Sequence, residues 1–211
     1  MDARVLYVIV PVAKIMMKAD QAAEVSGEGY MAGTLLHEIS HGLGPAFANV
    51  NGKQVDIREA IGPAYSGLEE AKADVVGMFG LGWLMDHGAL DKARAHEYYA
   101  SYVGGLFRTL RFGTGEAHGR AEMMEFNYLL ENHAINQVNG LYRVDYARIP
   151  GVLAQLAKVL LEIEATGDRA RAEAWFAKYD KMPAALTAAL VATKDIPVDI
   201  DPKFSFSDDV R

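Results

Sequence analysis

The chain has 211 residues, a net charge of −7 and no Cys, and about half of its residues are apolar. That length suits one domain with an ordinary core, or one lobe of something larger. The acidic balance and the lack of any dense basic run exclude a nucleic-acid or membrane surface; the missing Cys excludes disulfides, thiolate nucleophiles and Cys-type metal sites, and fits a cytoplasmic setting.

Residues 1–15 open the chain with an apolar run, Val5 to Val12, that reads as a buried strand or a helix start. It is short, Asp2 stands near its start and no small-residue cleavage site follows, so it is no signal peptide. No stretch approaches the roughly 20 apolar residues of a spanning helix. Gly29 to Leu43 reads as a helix, ended by Gly42, Gly44 and Pro45. Asn51-Gly52, between short alternating runs in Phe47 to Ile57, predicts a hairpin. The helical pattern returns over Ser66 to His87. There Ser66 and Glu69 form a capping-box pattern, and Leu68, Val75, Val76, Phe79 and Trp83 share a face. Gly77, Gly80 and Gly82 weaken that helix and call for close packing against another.

Further helices are predicted over Asp91 to Phe112, His118 to Asn136, Ile149 to Thr166, Arg169 to Tyr179 and Pro183 to Thr193. Leu141 to Val144 reads as a short strand, and Ile196 to Phe206 as an extended tail in which Pro197 and Pro202 block a helix. No linker divides the chain. The expected fold is mainly α with minor β, a single helical lobe over residues 1–211.

The chemistry concentrates in His37-Glu38-Ile39-Ser40-His41. Residues four apart on a helix share a face, so His37 and His41 can aim two imidazoles at one ion. Glu38 lies beside them, placed to take a proton from water. The flanking Leu35, Leu36, Ile39 and Leu43 suggest a largely buried helix, where two unpartnered histidines would be costly. A catalytic zinc needs a third ligand from another element. The best candidates lie in Glu69-Glu70-Ala71-Lys72-Ala73-Asp74. Glu70 and Asp74 share a helix face, so one carboxylate can bind the ion while the other accepts a ring N–H from a ligating His. His118 could start a helix that faces the site and donate to a developing oxyanion, although a lone His is more often a capping or surface residue. His87, His96 and His133 have no partner at metal spacing and read as structural.

With these motifs in place, the chain resembles the catalytic, C-terminal part of the dipeptidyl-peptidase III family of zinc metallopeptidases, its bacterial branch above all. The resemblance rests on residues 37–45 (HEISHGLGP), residues 69–74 (EEAKAD), Arg111-Phe112-Gly113 and Glu116-Ala117-His118-Gly119-Arg120. It continues from Tyr142 through Gly167-Asp168 to Ile196-Pro197-Val198-Asp199, and so covers nearly the whole chain. It implies one Zn2+ per chain on His37, His41 and Glu70, with Glu38 as general base. It further implies supporting roles for Glu69 and Asp74, and transition-state stabilisation by His118.

Two departures stand out. Many family members carry one more residue in the motif, HExxGH; the shorter HExxH here is ordinary zinc-helix spacing. The family's proteins are also two-lobed and larger, so the expectation is a lobe that lacks its N-terminal counterpart and needs that lobe or a partner chain to grip a short peptide. Two other readings remain open on sequence: a zinc hydrolase of non-peptide amides or esters, and an inactive metal-binding fragment.

Overall fold

The computed structural model describes residues 2–201. The predicted tail beyond Asp201, Pro202 included, lies outside these residues. The N-terminal run is helical, not a strand. A short helix α1 (Asp2–Arg4) passes through a π turn (Val5–Ile9) into α2 (Val10–Met16). Val5, Val8, Ile9, Val12, Ala13 and Met16 are buried, the helical period, whereas Leu6 and Tyr7 face out. Pro11 brings no N–H to this helix, and the wider turn that closes Val10 N–H onto Val5 O comes just before it.

A short helix α3 (Ala19–Ala22) leads to α4 (Gly27–Ser40). Ser26 caps α4, its hydroxyl accepting from Gly29 N at 2.9 Å. β1 (Phe47–Val50) and β2 (Lys53–Asp56) then pair antiparallel, with Phe47 opposite Asp56. The turn uses positive φ at Asn51 (52°) and Gly52 (78°), the requirement behind the Asn-Gly signal. After α5 (Ile57–Ile61) and a 3-10 turn comes α6 (Tyr65–Asp86), the 22-residue helix at the centre of the molecule.

No capping box forms at Ser66. The helix already begins at Tyr65, and Glu69 turns its carboxylate to His41 and Lys72 instead. Leu68 and Val75 are buried as expected, but Phe79 and Trp83 are about half exposed.

α7 (Ala95–Leu110) and α8 (Ala117–Glu131) follow. The helix predicted to run to Asn136 stops at Glu131. Ile135–Val138 instead forms β3, antiparallel to β4 (Leu141–Val144), a second hairpin closed at Asn139 and Gly140. Buried Gln21 ties this hairpin to α3. Its amide donates to Val144 O at 2.9 Å and its carbonyl accepts from Val144 N at 2.7 Å.

α9 (Ile149–Thr166) ends at Gly167, whose φ is 63° and where a Cβ would stand 2.8 Å from both Ala48 and Ala60. α10 (Arg169–Tyr179) and α11 (Ala184–Leu190) complete the helices. Residues 196–199 are pinned rather than extended. Arg111 donates to Ile196 O at 2.6 Å and Pro197 O at 3.0 Å, while Arg4 and Arg108 each reach Asp199 at 2.9 Å. α6 packs against α4, α8 and α9; one core runs through α6, α8 and α9, and Tyr30, Ala32 and Leu36 of α4 pack against it. No helix among the described residues is long and apolar enough to cross a membrane.

Candidate metal centre

α4 presents His37 and Glu38, with His41 at its C-cap, and α6 presents Glu69, Glu70 and Asp74. Gly77 lets the two helices approach, because a Cβ there would stand 3.0 Å from His37 N and from the Leu36 carbonyl carbon. The apolar flank does not bury α4 as expected. Met31, Leu35, Ile39 and Leu43, four residues apart, all face outward, and the buried side is that of His37 and Ser40.

The carboxylates of α6 orient the two rings. His37 Nδ1 lies 2.8 Å from Asp74 Oδ1, and His41 Nδ1 lies 2.9 Å from Glu69 Oε1. A carboxylate only accepts, so each Nδ1 is a donor and each Nε2 is left to face its neighbour. The two Nε2 atoms are 3.0 Å apart. Two lone pairs at that distance repel unless a cation or a shared proton lies between them.

Glu70 Oε2 completes the group. It lies 3.5 Å from His37 Nε2 and 3.8 Å from His41 Nε2. It is sealed from solvent and makes no well-aligned hydrogen bond among the described residues, an acceptor left for a cation, with His118 Nε2 3.1 Å away. Donor atoms around a tetrahedral zinc ion stand about 3.3 Å from one another, given ligand bonds of about 2.0–2.1 Å. The three separations here, 3.0, 3.5 and 3.8 Å, straddle that value. An all-nitrogen-and-oxygen donor set in a Cys-free chain is one that zinc accepts.

His118 joins the cluster from the first turn of α8, its Nε2 at 3.1 Å from Glu70 Oε2 and its ring stacked 6.1 Å from that of His37. His37, Glu70 and His118 also offer ligand atoms within 4.8 Å of one another. Two triads therefore share His37 and Glu70. His41 is the better prepared third member, because Glu69 holds its ring. The His118 side chain is more than half exposed, and among the described residues no carboxylate holds its Nδ1.

The field at the site is negative. Burial alone would lower the His37 pKa, but the Asp74 bond and the charges of Asp74, Glu70 and Glu38 overcome it and raise the value. Beside the cluster lies a cavity of about 610 Å3, lined in part by His37, Glu38, His118, Arg108 and Glu122. Glu38 is exposed to it.

Three buried charged residues were not singled out from sequence. Lys72, with only 2% exposure, donates to Ser40 O at 2.7 Å, Leu43 O at 2.9 Å and Glu69 Oε1 at 2.8 Å. It clamps the C-terminal carbonyls of α4 to the carboxylate that holds His41. Glu125 and Glu164 are fully buried behind the same cluster. Each sits at a core position of its helix: Lys72 four after Leu68, Glu125 four after Ala121, Glu164 four after Leu160. A charge on an apolar stripe was the available signal. His87, His96 and His133 lie elsewhere, His87 and His96 stacked on Trp83 and Tyr146.

No protein-family profile matches the chain. A solved structure of dipeptidyl-peptidase III from Caldithrix abyssi superposes with a TM-score of 0.94 at 33% identity, over 98% of this chain and 40% of that one. Dipeptidyl-peptidase III from Corallococcus sp. strain EGB gives 0.93 at 34% identity, over 98% and 39%. A curated relative, "Nudix hydrolase 3" of Arabidopsis thaliana, is 33% identical across 98% of this chain, which spans 27% of that protein. Most of that protein lies outside the match, so its name assigns no chemistry to the matched span. The chain covers two-fifths or less of the length of each of these proteins.

Proposed function

Given that the chain is dipeptidyl-peptidase III-like in sequence and fold over 98% of its length, we propose that it is the metal-holding part of a zinc-dependent peptide hydrolase. One observation carries this reading: two histidines with carboxylate-held Nδ1 atoms turn their Nε2 atoms to within 3.0 Å of each other, beside a sealed Glu70 oxygen. His37, His41 and Glu70 would hold the ion. When bound, zinc supplies a Lewis acid for the scissile carbonyl and lowers the pKa of attacking water.

The chain's own residues do the rest. Asp74 and Glu69 keep the two imidazoles in the tautomer that can bind. Glu38, on the cavity side of the same helix, takes the proton from water and returns it to the leaving amine. His118, at the cavity wall, donates to the oxyanion. The substrate is a short peptide, and the wall that faces it across the cavity comes from a second lobe.

Two expected outcomes separate these roles. Glu69→Ala should weaken zinc binding by about 10–100-fold, the range for an outer partner of a ligand. Glu70→Ala should weaken it well beyond that. Zinc titration against a chelating dye checks both, and the reverse order would move the ligand assignment by one residue. His118→Ala should leave zinc affinity unchanged and slow hydrolysis by about 10²–10³-fold, the cost of one oxyanion donor. Loss of zinc in that variant would make His118 a ligand.

A further inference from the structure

The carboxylates that hold the two histidines are themselves backed by carboxyl groups shut off from solvent. Glu125 on α8 and Glu164 on α9, helices that pack on α6, both have 0% exposure; Asp74 acts on Glu125 and Glu69 on Glu164, and Glu164 Oε2 lies beside Gly44 together with the side chain of Lys72, which pairs with Glu69. Neither oxygen of Glu164 receives a donor. Glu125 receives one, the Tyr102 hydroxyl at 2.6 Å on Oε2, while Oε1 has none.

A sealed carboxylate with so few donors is not sustained, and a buried carboxyl beside a second carboxylate does not stay charged along with it. In the Glu164 pair both donors are on the other partner; in the Glu125 pair each carboxylate takes one, but Asp74 is 21% exposed where Glu125 is sealed. Glu69 takes His41 Nδ1 and Lys72 Nζ, and Asp74 takes His37 Nδ1. The protons therefore sit on Glu125 and Glu164.

We propose that Glu125 and Glu164 are positioning residues, neutral carboxylic acids that donate O–H to Asp74 and Glu69 and so lock the carboxylates that aim His37 and His41 at the metal. This rests on the zinc reading of the site. It yields two matching chains, Glu125–Asp74–His37 and Glu164–Glu69–His41, each linking an outer helix through α6 to α4. The surroundings agree. Burial and then the Asp74 charge push Glu125 well above the carboxylate range, with Glu122 adding to it. Burial and then Glu69 push Glu164 up to about 8, against the opposing pull of Lys72.

The test uses the 211-residue chain and the variants Glu125→Gln, Glu125→Leu, Glu164→Gln and Glu164→Leu. Zinc affinity is read by chelator competition, the cobalt-substituted absorption spectrum reports ligand geometry, and the infrared spectrum reports protonated carboxylic acids. Gln keeps a donor in the same place and should bind zinc within about threefold of the parent. Leu removes the donor and should weaken binding about tenfold, the lower end for an outer partner, and perturb the cobalt spectrum. Each Gln variant should lose part of the carboxylic-acid signal. Leu variants that bind like the parent, Gln variants as weak as Leu, or no carboxylic-acid signal in the parent would each overturn the proposal. If a Leu variant does not fold, the Gln and infrared results still decide. A parent that binds no metal refutes the site itself, and the positioning role with it, while the infrared signal separately reports whether the two acids exist.

Discussion

Glu38→Gln should lower peptide hydrolysis by about 10²–10⁴-fold, the usual contribution of a general base, and leave zinc content unchanged. Glu38 faces the cavity that His37 and His118 also line. No ion pair or side-chain hydrogen bond involves it among the described residues, so an amide of the same shape leaves α4 and its histidines undisturbed. What Gln cannot do is take a proton from water. The check pairs dipeptide release with metal analysis, on the chain joined to the further length that its solved relatives carry. An unchanged rate, or loss of metal with the rate, would assign Glu38 a different role.

The 211-residue chain by itself should release dipeptides at least about a hundredfold more slowly than that completed molecule. Positioning supplies much of an enzyme's rate, and a misplacement near 1 Å costs on the order of a hundredfold. The chain spans 39–40% of the matched structures. Along α4 and just past its end, Met31, Leu35, Ile39 and Leu43 are 43–57% exposed, an apolar stripe that a second lobe would cover. Supplying the further length, fused or as a separate piece, should restore the rate. Equal rates from both would show that this chain is a complete enzyme.

The elements that carry the site were legible because their signals are local. Four-residue spacing placed His37 and His41 on one face, and Asn51-Gly52 demanded positive φ. The same Asn-Gly signal stood at Asn139-Gly140. A helical pattern that runs on to Asn136 hides it, so the first half of β3 reads as helix. The N-terminal run was ambiguous because Leu6 and Tyr7, apolar but exposed, erased the contrast between faces that reveals a period. Long-range matters were not legible. Glu69 reads as a capping residue because the His41 it meets is brought to it by tertiary packing. The stripe Leu35–Ile39–Leu43 looked like core, since sequence gives apolarity and not which face finds a partner. The Glu125 and Glu164 chains depend on α8 and α9 meeting α6, which no spacing within one helix encodes.

The central claim is a single metal site built by α4 and α6. Its most direct test is elemental analysis of the purified chain after zinc is supplied and excess removed, beside a His37→Ala, His41→Ala double variant. The site predicts about one zinc per chain in the parent and none retained in the double variant. A parent without bound metal, or a double variant that keeps its zinc, would contradict it.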